Sequence, residues 1–436
     1  MISFRQRFGK KISKELFSNG MVKKLSNHQS YVIFSYLAIA MNIVTGFVLI
    51  PLITKKLGIE ALGVFGLLFS LYSIIAIGGG GWLAASVVKN LVQYKFLKNK
   101  IYIFSIYFNV AYGLLGAMIV IVYGYTQKPD YLDSFYFFAA YTMVSFAMIP
   151  FYNIMAAELK QAQVAFFRFV QQFLFMLLSI SSFYLLAGNS LYYVFSALLI
   201  SVVIVFIALL IYCTYQFNYT FYFRKIKKVI IYKLLITDGA GYFTNGLSTI
   251  LLLQIDVLLI DFLYGAKSVG IYLIIWKVPN TLIMLGWRLS DPFAVIVANK
   301  LKENRKAEIK AEFFQLERKV LMLSVLAASG YLFLGQYILE LWMGATNVPN
   351  IKYMYAASAV LIVLSVMQRV YLSVNYYTHG LSMATGLQFI EIVFKCLFIV
   401  FLFDLFQEMA PVIGWLFGLI VTLLFYRYNS LRVLSV

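Results

Sequence analysis

The first half of the chain carries essentially no charge deep within its long apolar stretches, whereas the second half holds Asp238, Asp256, Asp261, Lys277, Arg288, Asp291, Arg369, Glu391 and Lys395. A charge at mid-bilayer costs on the order of 2.5–3.5 kcal/mol on insertion scales, so each one needs a partner or an aqueous cavity. At about 100° per residue, Lys277 and Arg288 lie about 20° apart on a helix, with Asp291 about 40° to the other side of Lys277 and Met284 between them. Such a cationic stripe suits a diphosphate, which arginine grips with a planar fork and lysine with a mobile point charge. Arg288 and Asp291, three residues apart, can instead pair with each other to fix helix packing. Arg369 follows Gln368 and has no acid within a turn, the pattern of a cation that faces a cavity. Glu391 and Lys395, four residues apart, either neutralise each other or form an ion-coupling element. A second stripe, Asp238, Asn245, Thr249 and Asp256, occupies about 40° of one helical face. Asp256 is there a candidate for a coupling cation or proton; its other reading is an acid at the membrane boundary.

The elements that hold these residues are membrane-spanning helices. The composition is 62% hydrophobic and 12% charged, with 36 Lys and Arg against 17 Asp and Glu. About twelve stretches reach the roughly 20 apolar residues that cross a bilayer, and a lipid-exposed span must satisfy its own backbone, which leaves helices. They lie near 31–53, 62–88, 101–123, 132–152, 163–187, 191–215, 234–263, 268–298, 316–341, 351–379, 383–404 and 410–428. Twenty-seven of the cations fall in the N-terminal segment, in alternate loops or at the C-terminus; the loops of the other side hold only Lys55, Lys56, Lys128, Lys267 and Lys352. By the positive-inside rule both termini are expected in the cytoplasm. The basic charge therefore follows topology and is not gathered on one surface, which argues against nucleic-acid binding. Residues 1–30 form a basic segment in which Phe4, Phe8, Ile12 and Leu16 recur at helical spacing, suited to an anionic membrane surface. Pro279 and Pro292 are expected to bend the eighth span. Cys213 and Cys396 fall inside spans, spaced for neither a disulfide nor a metal.

The chain reads as a duplication. Leu57 to Phe65 is L-G-I-E-A-L-G-V-F, and Tyr264 to Tyr272 is Y-G-A-K-S-V-G-I-Y. Gly58 matches Gly265, Gly63 matches Gly270 and Phe65 matches Tyr272, each 207 residues apart. Both segments follow the first span of a six-span half, so the halves share one orientation, as in parallel-repeat transporters. The glycines fit a tight turn with positive φ. The expected organisation is an N-lobe at 31–215, an interfacial linker at 216–233 and a C-lobe at 234–436, two pseudo-symmetric six-helix bundles around a central cavity. At the same offset Asn42 corresponds to Thr249, so Asn42 and Asn245 join Lys277, Arg288 and Arg369 as candidate substrate contacts. Asp256, Asp291, Glu391 and Lys395 are the candidates for ion coupling.

The stretch from Ile53 to Asn90, with its Leu-Gly turn, its Gly63-x-Phe65 step and its glycine run 78–81, resembles the signature of Wzx-type polysaccharide repeat-unit flippases. Gln254-Ile-Asp-Val-Leu-Leu259, followed by Gly265, Gly270, Tyr272 and Pro279, resembles their second-half signature. These flippases belong to the multidrug/oligosaccharidyl-lipid/polysaccharide exporter superfamily. The resemblance implies translocation of an undecaprenyl-pyrophosphate-linked oligosaccharide across a bacterial inner membrane by alternating access, for O-antigen or other surface polysaccharide. It also implies a lipid-linked substrate, contact with membrane lipids, a polysaccharide polymerase and chain-length regulator as partners, and no cofactor beyond a coupling Na+ or H+. The rival within the superfamily is a cation-coupled multidrug exporter, against which the membrane-embedded cations count. A membrane enzyme such as a polymerase or acyltransferase fits less well. The longest outer loop, near 342–352, is only about ten residues, and no carboxylate pair, Ser/His/Asp set or metal cluster stands in an extramembrane loop.

Overall fold

The computed structural model describes residues 27–77, 82–94, 97–185, 190–217, 238–303, 305–344, 352–378 and 381–435. Among the described residues the regular structure is helical throughout. In chain order the helices are α1 (Asn27–Leu57), α2 (Ile59–Ile75), α3 (Trp82–Gln93), α4 (Lys98–Gln127), α5 (Leu132–Ala157), α6 (Gln161–Leu185), α7 (Tyr192–Gln216), α8 (Asp238–Tyr264), α9 (Ala266–Lys302), α10 (Lys306–Met343), α11 (Lys352–Thr378), α12 (Leu381–Phe401) and α13 (Ala410–Ser435), with short helical turns at Pro129–Tyr131, Phe403–Phe406 and Gln407–Met409. Eleven candidate spans among the described residues are long and apolar enough to cross a membrane.

Within the second expected span, 62–88, the described residues carry α2, with a π-type turn at residues 76–77, and part of α3. The glycine run 78–81 lies between them in the sequence. That run, residues 1–26, most of the linker 216–233 and His379 lie outside the described residues, as do the side chains of Asp238 and Asp291. The α9 helix is assigned as continuous through both Pro279 and Pro292.

Contacts divide the chain into two compact units, Met1–Leu49 with Ile75–Phe243, and Ile50–Ile74 with Thr244–Val436. The first is held by aromatic packing over small residues. Phe138 lies edge-on to Phe195 at 5.2 Å, and Gly113 and Gly124 let α5 approach α4 at Phe146 and Phe135. Its buried polar residues are neutral, and Asn109 donates back to the Ser105 carbonyl of its own helix at 2.7 Å. In the second unit Phe293, Ile309, Phe313, Val370, Tyr371 and Tyr426 form an apolar core shared by α9, α10, α11 and α13. The turn between α9 and α10 is clasped by Lys300, which reaches Glu312 at 2.7 Å and Glu308 at 2.9 Å. Those hydrogen bonds, to Glu312 first, hold the Lys300 ammonium above its usual range. Such exposed pairs stabilise by roughly 0–1 kcal/mol.

The duplicated turns share one backbone geometry. Gly58 and Gly265 have φ of +93° and +84°, a region that side chains rarely adopt. Each amide bonds back to a carbonyl four residues earlier, Thr54 or Asp261, at 3.0 Å. Each carbonyl then receives the first amide of the next helical turn, from Leu62 at 3.3 Å or Val269 at 3.4 Å.

Candidate functional site: a buried carboxylate cluster in the second unit

All the fully buried charged side chains among the described residues lie in the second unit: Asp256, Asp261, Glu391 and Lys395. Three of them meet along α12, where Gln388, Glu391 and Lys395, at i, i+3 and i+7, share one face. Lys395, 1% exposed, does not bond down its own helix to Glu391. It crosses to Asp256 on α8 at 2.7 Å, donates to the Leu252 carbonyl at 2.8 Å, and lies 5.2 Å above the Trp415 ring. Asp256 has no solvent exposure. Its second oxygen accepts the Val257 amide at 2.9 Å, and the Tyr272 hydroxyl donates to the oxygen that meets Lys395.

Glu391 is left with neutral donors. Gln368 reaches it at 2.5 Å, Thr422 at 2.7 Å and the Trp415 indole at 3.0 Å, from α11 and α13. With Lys395 assigned to Asp256, the Asp256–Lys395–Glu391 set carries a formal charge of −1 when both acids are ionised. One turn away, Gln388 accepts from Ser248 at 2.6 Å and Thr249 at 3.4 Å, so the Asn245–Thr249–Asp256 face of α8 packs on α12. Trp415, Thr422, Gln388 and the Tyr272 hydroxyl were not among the residues expected from sequence; the i, i+3, i+7 spacing of Gln388, Glu391 and Lys395 was the available signal.

The close approach of α13 to α12 depends on Gly414 and Gly418, a small-x-x-x-small pair. A Cβ on Gly418 would come within 2.8 Å of the Glu391 Cα, and one on Gly414 within 2.9 Å of the Lys395 Cα. Gly418→Leu should therefore lower the thermal midpoint by an amount matching the about 1–3 kcal/mol that overpacking costs. Gly386→Leu, whose Cβ meets nothing within 4 Å, should melt with the parent in the same detergent.

Lys277 and Thr281 are half-buried on α9, and Met284 and Arg288 on the same face are exposed. Arg369 is half-buried with its guanidinium 5.9 Å from the Trp287 ring, and the Trp287 indole donates to the Ser365 carbonyl at 3.0 Å. Asn42 is exposed, and Asn245 is half-buried. Among the described residues no group of three or more His, Cys, Asp or Glu could hold a metal ion.

No protein-family model and no curated protein matches the sequence. Solved structures do resemble it. An inward-facing multidrug resistance MATE family transporter of the MOP superfamily aligns with a TM-score of 0.74 at 12% identity, over 92% of this chain and 98% of that one. An outward-facing MATE family transporter aligns with 0.65 at 14%, over 94% and 97%. A MOP superfamily transporter from Pyrococcus furiosus, described as having a binding pocket of reverse polarity that suggests a different function, aligns with 0.61 at 12%, over 95% and 98%. The fold is thus the MATE-like fold of membrane transporters, and the chain is a multi-pass membrane protein.

Proposed function

We propose that this chain is a secondary transporter of the multidrug-exporter kind, working by alternating access and driven by a proton exchanged at Glu391. One observation carries the coupling: a carboxylate with no solvent exposure, held by three neutral donors while the lysine one turn away is bound to another acid. Oxygen-rich ligation suits a sodium ion, whereas this donor set includes an indole N–H that cannot accept. A proton fits better. A protonated Glu391 must donate as well as accept, and the Gln368 amide can turn its oxygen to receive that hydrogen. Gln368, Trp415 and Thr422 belong to α11 and α13, so the exchange acts on the packing of three helices at once. The MATE-like fold supports the export reading.

A second reading keeps the lipid-linked oligosaccharide as cargo, with the polymerase and chain-length regulator as partners. The face of α9 that carries Lys277 and Arg288 favours it, because cations in a span call for water or an anion. The reverse polarity of the binding pocket described for the Pyrococcus furiosus transporter is a precedent for a different pocket polarity, with a different function, on this fold. In both readings the protein lies in the bacterial inner membrane with cytoplasmic termini. Proteoliposomes separate the two. Gradient-driven accumulation of ethidium, with no movement of a fluorescent undecaprenyl-diphosphate sugar, supports the multidrug reading; the opposite pattern, lost in Arg288→Ala and Arg369→Ala, would replace it.

A further inference from the structure

The duplicated segments touch each other, and the contact is reciprocal. Ile59 and Ala266 open α2 and α9 at equivalent positions 207 residues apart, and Gly63 and Gly270 lie one helical turn on. A Cβ on Gly63 would fall onto the carbonyl oxygen of Ala266; a Cβ on Gly270 would fall onto the carbonyl oxygen of Ile59. The Gly63 Cβ would also stand 3.1 Å from the Gly270 amide nitrogen. Each helix start therefore lies in the gap left by the other's glycine, as a two-fold contact between equivalent surfaces demands. Cα–H groups can meet carbonyl oxygens there. Next along α2, Gly66 faces Leu273, and the Ser70 hydroxyl donates to Gln254 on α8 at 2.7 Å.

The position of this contact in the chain gives it a consequence. Residues Ile50–Ile74 pack in the second unit, yet the chain on both sides of them, Met1–Leu49 and Ile75–Phe243, belongs to the first. Any displacement of one unit against the other must strain this segment or release it. At the crossing itself backbone meets glycine, so the two helix starts touch through few side-chain atoms and can part there at small cost.

We propose that the Gly63–Gly270 crossing is a releasable latch, closing the end of the transport pathway opposite the basic loops and parting once per cycle. The proposal rests on the alternating-access reading. It assigns a gate to residues outside the carboxylate cluster and predicts that the two glycines act as equivalent halves of it. A static helix contact would instead tolerate no side chain and report nothing about opening.

The test uses Ser70→Cys as reporter in the full chain carrying Cys213→Ser and Cys396→Ser, since Ser70 is only 3% exposed while the latch is closed. Whole cells are treated with a membrane-impermeant maleimide. Gly63→Leu and Gly270→Leu should each raise the labelling rate about tenfold or more, a shift of at least about 1.4 kcal/mol toward the open state. Gly330→Leu, whose Cβ meets nothing within 4 Å, should label as the parent does. Size-exclusion profiles select folded variants; if the leucine variants do not fold, Gly63→Ala and Gly270→Ala decide, with a smaller rise expected. A parent that labels slowly, beside glycine variants that label no faster, overturns the latch and leaves alternating access standing. A reporter that never labels in the parent or in any variant overturns both.

Discussion

Replacing Lys395 with methionine is expected to remove most of the folded protein from the membrane, although methionine fills nearly the same volume. The loss comes from what remains. Asp256, with no solvent exposure, keeps the Val257 amide and the Tyr272 hydroxyl but loses the countercharge that Lys395 supplies at 2.7 Å, and the Leu252 carbonyl loses its ammonium donor. Breaking a buried pair by deleting one partner costs about 3–5 kcal/mol, a large part of the about 5–15 kcal/mol that holds a domain together. Removing both charges should restore most of it, because a neutral pair needs no countercharge. The expected order in fluorescence-detected size-exclusion melts is parent, then Asp256→Asn/Lys395→Met, then Lys395→Met far below. A single variant that melts with the parent would mean that Asp256 has another countercharge.

Glu391→Gln should have the opposite profile, folding well and working badly. Glutamine preserves volume and keeps an oxygen for Thr422 or Gln368, but it cannot exchange a proton. Gradient-driven accumulation in proteoliposomes should fall about 5–150-fold, the range of a coupling free energy of about 1–3 kcal/mol. Exchange of cargo across the membrane without a gradient should persist, since it needs no proton exchanged at Glu391. Glu391→Asp, one methylene shorter, should recover part of the gradient response while stretching the bonds to Gln368 and Trp415. Equal loss of exchange and of gradient-driven accumulation would assign Glu391 to structure alone.

How much of this was legible in the sequence differs between the scaffold and the site. Apolar length alone identifies the helices, because a span must bury its backbone in its own hydrogen bonds. The glycine pairs 207 residues apart foretell two turns with positive φ, which Gly58 and Gly265 adopt. The charge imbalance between halves is also plain: Leu49 and Phe65 stand where Asp256 and Tyr272 stand in the second half, so only one copy of the repeat carries the polar site. Partner choice was not legible. Lys395 has Glu391 one turn away in sequence, yet Asp256, 139 residues distant, takes it, because the crossing of α8 and α12 depends on packing that local spacing does not encode. The same holds for Trp415 and Thr422, which reach Glu391 only because Gly414 and Gly418 let α13 come close.

The most direct test of the account is whether Glu391 itself takes up and releases a proton. Infrared difference spectra of the purified, lipid-reconstituted protein across an acid step report buried carboxylic acids through their carbonyl stretch. The account predicts a band that appears on acidification in the parent, survives in Asp261→Asn and is absent in Glu391→Gln. A spectrum without such a band, or a band that persists unchanged in Glu391→Gln, would contradict it.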